Sequence, residues 1–288
     1  MKIVGFVGSY RKLGNTEVLV KEALMEAQRL GSDVDFLRLT DLRIEPCKGC
    51  MACAFKEEDC RISDDWHIFR DKLMQSNAVI LGAPTYILGA SGIIKMITDR
   101  NIALQTIASL QPGKLGAVLG VSGVKGWEQL TLPMLNVFMF SCGIKVVDQA
   151  MFYSQGPGEI LLNESAMQRA RKIGSNIFNA ISDTGKAKTY LGENGVCPVC
   201  HQNLFLIEKD GLVCALCQAK AVLRERPNGQ TELIFDPETA RNHRWSEQSL
   251  IENFSVAILP SGPRFLEKRT EIAEKAQRYI GFPKQAVP

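Results

Sequence analysis

Apolar and polar positions exchange between two periods along the chain as far as Ile181. Lys2 to Val7 is a short, β-branched apolar run that gives way at Gly8 to a loop of small and hydroxyl residues. After the loop, Val18, Leu19, Ala23 and Leu24 recur at helical spacing. The exchange then repeats. Asp33 to Leu39 reads as a second strand, and Asp65 to Gln75 as a helix with Ile68, Phe69, Leu73 and Met74 at its apolar positions. Ala78 to Ala83 is a third strand, followed by the glycine-bearing stretch Pro84 to Gly92 and a helix through Lys95 to Asp99 and Arg100. Gly113 to Val121 is a fourth strand, and Glu128 to Ser141 a helix that Pro133 bends or opens. Strand Ile144 to Met151 and helix Glu164 to Ile181 complete the series, with Ala166, Ala170, Ile173, Ile177 and Ala180 on one helical face. Five strands alternating with five helices predict an α/β fold with a doubly wound parallel sheet. The loops after its first, third and fourth strands should converge on one side.

The pattern changes past residue 183. Residues 184–194 are polar, Gly- and Lys-bearing and without apolar period, as in a linker. A second unit over 195–235 places Leu204 to Ile207 and Leu212 to Val213 around the turn Lys209-Asp210-Gly211. The tail, 236–288, holds Trp245 and Phe254 without clear period and then one charged amphipathic helix over Pro263 to Ile280.

Composition narrows the class only a little. The 288 residues are 45% hydrophobic and 23% charged with a net charge of +3, too small to imply nucleic acid or an anionic membrane as partner. No apolar run nears the ~20 residues of a bilayer span, and the chain opens directly into a strand, so a cytoplasmic protein is expected.

The cysteines change the picture more. Of nine, four form the compact run Cys47, Cys50, Cys53 and Cys60, four form the paired units Cys197, Cys200 and Cys214, Cys217, and Cys142 stands alone. In a reducing compartment, paired C-x-x-C units indicate metal rather than disulfides. The compact run puts four soft thiolates within reach of one inorganic centre, as an iron-sulfur cluster requires; a zinc knuckle and unligated thiols are the alternatives. The other four on a hairpin make a ribbon of the zinc or rubredoxin type, and the sequence does not separate the two metals.

The first loop, Gly8 to Thr16, lacks the Gly-Lys-Ser/Thr of the ATPase loop and the Gly-x-Gly-x-x-Gly of the dinucleotide fold. Its small and hydroxyl residues before a helix suit the phosphate of a flavin mononucleotide, with Ser9, Asn15 and Thr16 as donors, Gly14 at the turn and Arg11 as the one basic residue. An ordinary turn capped by Asn15 is the alternative. Tyr86, in an extended loop with Pro84, Thr85 and Ile87, could lie along an isoalloxazine ring or simply pack. The third loop carries Gly123 and Gly126.

Three motifs then act together: Gly8-Ser9-x-Arg11-x-x-Gly14-Asn15-Thr16, the compact cysteines ending near Asp64-Asp65, and Ala83-Pro84-Thr85-Tyr86 continued to Lys95 and Asp99-Arg100. On these, Met1 to Ile181 resembles the NADPH-dependent FMN reductase superfamily of flavodoxin-like proteins, in its iron-sulfur flavoprotein branch. The resemblance implies FMN held by the three strand loops, with Ser9, Arg11, Asn15 and Thr16 on the phosphate and Pro84 to Ile87 along the ring. It also implies a 4Fe-4S cluster on Cys47, Cys50, Cys53 and Cys60, and a homo-oligomer, dimer or tetramer. The ribbon and tail depart from the usual members. The leading expectation is an electron-transferring flavin enzyme whose external partner is a ferredoxin-like carrier or a small oxidant. The rivals are an NAD(P)H-dependent FMN, quinone or azo reductase without a cluster, and a redox-responsive binding module that uses the ribbon. Glu57, Glu58 and Asp59 would lower the cluster's potential, and Lys48 and Arg61 would offset them.

Overall fold

A computed structural model describes residues 1–56, 58–104, 113–183, 190–193 and 195–282. Glu57 and most of the expected linker lie outside the described residues. Five parallel strands form the main sheet: β1 (Lys2–Val7), β2 (Asp33–Arg38), β3 (Ala78–Tyr86), β5 (Leu115–Ser122) and β6 (Lys145–Tyr153), in the order β2-β1-β3-β5-β6. A two-residue strand, β4 (Gly89–Ala90), folds back on the end of β3 as a hairpin. This is the flavodoxin-like architecture expected.

The central strands are apolar on both faces because helices cover both. On one face, Val4 and Phe6 of β1 pack with Trp66 and Phe69 of α3 (Trp66–Met74), with Ile93 and Ile97 of α4 (Gly92–Thr98), and with Leu135 and Phe138 of α5 (Thr131–Ser141). Phe69 sits at the centre, 5.1 Å from the Phe6 ring and 5.6 Å from Phe138. On the other face, Ile3 and Val7 meet α1 (Asn15–Arg29) and α6 (Glu164–Ser182). These two helices approach so closely that a Cβ on Gly174 would stand 2.1 Å from the Ala23 carbonyl oxygen. Pro133 falls in the first turn of α5, where its missing N–H costs nothing. The cysteine loop between β2 and α3 carries one short helix, α2 (Ala52–Phe55).

The ribbon has four antiparallel strands, two more than its sequence suggests. They are β7 (Phe205–Glu208), β8 (Gly211–Cys214), β9 (Lys220–Glu225) and β10 (Thr231–Phe235). It is seated firmly. The Gln149 side-chain N–H on β6 donates to the His201 carbonyl (2.8 Å), Gln202 donates to Gln149 Oε1 (2.6 Å), and the Leu191 N–H donates to the Val147 carbonyl (2.7 Å). Phe140 of α5 meets Trp245, whose indole N–H donates to the Leu216 carbonyl (2.8 Å). Trp245, which has no periodic neighbours in the sequence, thus staples the tail to the ribbon.

The tail holds more than the one helix its sequence suggests. α7 (Pro237–Arg241) and α8 (Glu247–Glu252) precede the π-helical turn Asn253–Ile258 and α9 (Ser261–Ala276). α7 is capped by Asp236 and α8 by Ser246, each through a side-chain oxygen that accepts backbone N–H groups. No residue of α8, of that turn or of α9 is buried. Near the start of α9 the chain passes Phe55 of the cysteine loop, whose ring would lie 3.2 Å from a Cβ on Gly262. No helix among the described residues is long and apolar enough to cross a membrane.

Candidate flavin and cluster site

The loop after β1 is fixed from three sides. The Gly8 N–H donates to the Gly82 carbonyl, Ser91 Oγ donates to the Gly8 carbonyl (2.6 Å), and Thr40 Oγ1 donates to the Ser9 carbonyl (2.9 Å). Ser9 is buried at the turn and its hydroxyl accepts the Arg11 N–H, while Arg11 itself is exposed. Leu13 takes a left-handed φ of 50°, and α1 then starts after Gly14 with no side-chain cap. The Gly14 N–H donates to the Arg11 carbonyl (3.2 Å), and the uncapped start of α1 leaves the backbone N–H groups of Asn15 and Thr16 available to an anion.

Asn15 behaves differently from a phosphate donor. Its amide nitrogen donates to the Ser154 (3.3 Å) and Gly156 (2.9 Å) carbonyls, and its oxygen accepts the Ile160 N–H (3.1 Å). The side chain is therefore a strut between the first loop and the segment after β6. Glu17, which no sequence motif marks, lies buried in the first turn of α1 and holds Arg38 (2.7 Å), Lys21 (2.6 Å) and the Leu13 N–H (3.0 Å). Burial pushes its carboxyl up, but these partners outweigh it and hold it below the usual carboxylate range.

The second and third loops are joined to each other. β3 runs on through Pro84 and Thr85 to Tyr86, and the hairpin tip, Ile87 and Leu88, takes left-handed φ values of 45° and 70°, rare for such side chains. Thr85 Oγ1 lies 2.7 Å from Thr131 Oγ1, and the Leu130 N–H donates to the Leu88 carbonyl (2.9 Å). Gly126 has a φ of 89°, and Gly123 lines a cleft with Tyr153, Ser154 and Leu162. Tyr86, Ile87 and Trp127 are all exposed here, giving an apolar lip at the carboxyl ends of the strands. The Tyr153 hydroxyl donates to Glu128 (3.0 Å); burial and the neighbouring carboxylate push it up to about 12, so it stays protonated.

Cys47, Cys50, Cys53 and Cys60 line one hollow, closed by Ile102 and Arg100. Gly49 and Met51 take left-handed conformations (φ 63° and 56°) that turn the chain between the cysteines. Cys47 and Cys50 are exposed and the other two half-buried; burial, with the charges of Cys60 and Cys50, pushes the Cys53 thiol up. Glu58 and Asp59 are paired with Arg61 and Arg70, so their charge beside the hollow is largely offset. Cys142 lies elsewhere, buried, accepting an N–H from Asn101 (3.1 Å).

The ribbon sulfurs differ in scale. Those of Cys197, Cys200, Cys214 and Cys217 all lie within 4.8 Å of one another, with Cys197–Cys217 and Cys200–Cys214 at 3.4 Å. Bonds of ~2.3 Å to one tetrahedral ion need sulfurs about 3.8 Å apart, so this set fits a single metal ion. The compact set does not draw together that closely among the described residues, yet it converges on one hollow, which fits a polynuclear centre better than one ion.

Residues 1–157 match the family described as NADPH-dependent FMN reductase. The chain is 30% identical over 189 residues to an iron-sulfur flavoprotein of Methanocaldococcus jannaschii, covering 63% of this chain and 97% of that one. It is 28% identical over 270 residues to a flavone synthase of Aspergillus candidus, covering 83% of each. A solved flavone reductase superposes with a TM-score of 0.80 at 25% identity, over 100% of both chains.

Proposed function

The chain belongs to the NADPH-dependent FMN reductase family, in its iron-sulfur flavoprotein branch, and is a flavin-dependent oxidoreductase; from that premise we propose an electron converter. In this reading electrons pass between FMN, a 4Fe-4S cluster on Cys47, Cys50, Cys53 and Cys60, and an external carrier or small oxidant. The observation that carries it is the common hollow of the four compact cysteines, set among loops at the carboxyl ends of the strands. Bound FMN takes or gives electrons in pairs or singly, and a 4Fe-4S centre one at a time.

The chain's own residues would do the holding and orienting. Ser9, the uncapped start of α1 at Asn15 and Thr16, past the turn at Gly14, and the exposed Arg11 supply neutral donors and one charge for the phosphate. Asn15 contributes by fixing the 154–160 segment against that loop. The backbone of Pro84 to Ile87, with Gly123 and Gly126, offers N–H groups and close approach to a flat ring, and Tyr86 and Trp127 exclude water at the lip. In the ribbon, zinc or a rubredoxin-type iron on Cys197, Cys200, Cys214 and Cys217 would lock the fold.

A second reading concerns the acceptor. The likeness to the solved flavone reductase extends through ribbon and tail, beyond the share of this chain that the iron-sulfur flavoprotein covers. We propose that a planar conjugated ketone of the flavone class is the small oxidant, with a protonated Tyr153 at hand beside the Gly123 cleft. A ferredoxin-like carrier would feed the cluster, with NAD(P)H as the other candidate donor. A second copy of the chain is the proposed partner of the tail, where Phe265, Leu266 and Ile272 stay exposed.

Metal, sulfide and flavin content of anaerobically purified protein, read with the EPR spectrum after dithionite reduction, tests the converter. One 4Fe-4S cluster per FMN supports it; FMN without iron and sulfide overturns it and leaves a nicotinamide-driven reductase. Stoichiometric consumption of a flavone by the reduced enzyme tests the acceptor.

A further inference from the structure

Two residues that flank the cysteine loop in different ways meet beneath it. Asp64 follows the last cysteine by one turn of loop, and Arg100 comes 36 residues later, just past α4. Their side chains are 0% and 1% exposed. The Arg100 guanidinium takes the Asp64 carboxylate in a fork, with Nη2 to Oδ1 at 3.0 Å, and Nη1 also donates to the Glu45 carbonyl (3.3 Å). The same Nη2 donates to Cys60 Sγ at 3.3 Å. Trp66 lies alongside, 5.2 Å from the guanidinium. Asp64 is held in turn by the Glu45 N–H (2.7 Å) and the Trp66 N–H (3.2 Å).

Such a pair is a poor device for stability alone, because removing two charges from water offsets most of their attraction, and apolar residues of like volume often do as well. What apolar residues cannot do is present an N–H to a sulfur. Nη1 is matched to Asp64 and Glu45, and Nη2 is shared between Asp64 and Cys60, so the carboxylate behind it holds Nη2 on the sulfur, while the buried Nε has no partner. A donor aimed at a cluster thiolate stabilises the more negative, reduced form and raises the reduction potential. Because Asp64 cancels the net charge of Arg100, the effect is local to that sulfur rather than a general positive field.

We infer that Arg100, clamped by Asp64, is a positioning residue for the compact cysteine centre: it fixes the Cys60 sulfur and raises the potential of the cluster bound there. The inference rests on the cluster reading above. It also gives a reason for two sequence features, Asp64-Asp65 and Asp99-Arg100, that lie far apart in the chain.

The test is Arg100→Lys, read by redox titration of the EPR signal alongside FMN content and thermal unfolding. Lysine keeps the charge for Asp64 but cannot serve carboxylate and sulfur with one planar fork. The expected result is a reduced-cluster signal that appears about tenfold less readily at a given poise, a shift of about 59 mV to lower potential. FMN content and melting temperature should stay at wild-type values. Loss of the cluster alone, with FMN and melting temperature unchanged, supports positioning equally. An unchanged potential overturns the inference, as does a joint fall of melting temperature, FMN and cluster, which would mark a purely structural pair. Wild-type protein without iron and sulfide would instead overturn the cluster reading first, and this inference with it.

Discussion

At position 15 a single amide joins three points of the chain, and all its polar atoms are used in doing so. Asn15→Ala should leave two carbonyls and one N–H short of partners, a cost of about 1–3 kcal/mol. Thermal unfolding would show it, together with weaker FMN binding as the 154–160 segment loosens from the phosphate loop. Glu17 makes the matching prediction for pH. Its carboxyl titrates below the reference value of 4.5 in the folded chain, so the unfolded chain binds the proton first as pH falls. The stability it contributes is complete above about 4.5 and is lost as pH drops through the folded value. Glu17→Gln should lower stability at neutral pH and flatten the acid limb of a denaturation-against-pH curve. The sequence shows both residues as polar positions at a helix start, but not that one would turn to a distant loop and the other to Arg38. Those directions depend on where residues 38 and 154–160 arrive in space.

Among the elements, α1 and α6 approach backbone to backbone at Gly174. Gly174→Ala would place a methyl group inside the Ala23 carbonyl, forcing the helices apart, and overpacking of this kind costs about 1–3 kcal/mol. Denaturant unfolding is expected to show that loss without any change in the metal content of the ribbon. The central strands β1, β3 and β5 were readable because burial on both faces writes a nearly unbroken apolar run, and the edge strand β2 by its alternation of polar and apolar residues at its start. β4 was not, since two residues carry no period, and the tail helices α7 and α8 are shorter than the window in which a helical period can be seen. β9 and β10 escaped because both their faces are largely exposed, Leu223 on one and Ile234 on the other, so their apolar residues give no inward pattern. The compact cysteines were legible from spacing alone; the Asp64–Arg100 pair beneath them was not, because spacing says nothing about residues from separate loops.

The whole molecule is a flavin-binding sheet with two appendages attached in opposite ways. The ribbon is bonded to β6 and α5 through several polar and aromatic contacts, whereas the segment from Glu247 to Tyr279 buries none of its residues in its own chain. Helices with no buried face are marginal alone in water, which fits the second copy proposed above as the partner of that segment. Removal of everything after Ser246 should lower the sedimenting mass to a smaller assembly while the FMN content stays the same. An unchanged mass would show that the tail does not hold copies together.

The seating of the ribbon has one more consequence. β6 is one of the two edge strands of the sheet, with β5 on one side and, among the described residues, no strand on the other. An unpaired strand of this kind is a template for another chain, and proteins guard against such pairing by covering the strand. Here the cover is the ribbon together with Leu191, and a unit this small would depend on a metal on its four thiolates to stay folded. A metal on those thiolates would then act as a safeguard against aggregation. Stripping it with a chelator should raise light scattering before FMN is released, and Gln149→Ala should lower the chelator concentration at which scattering begins.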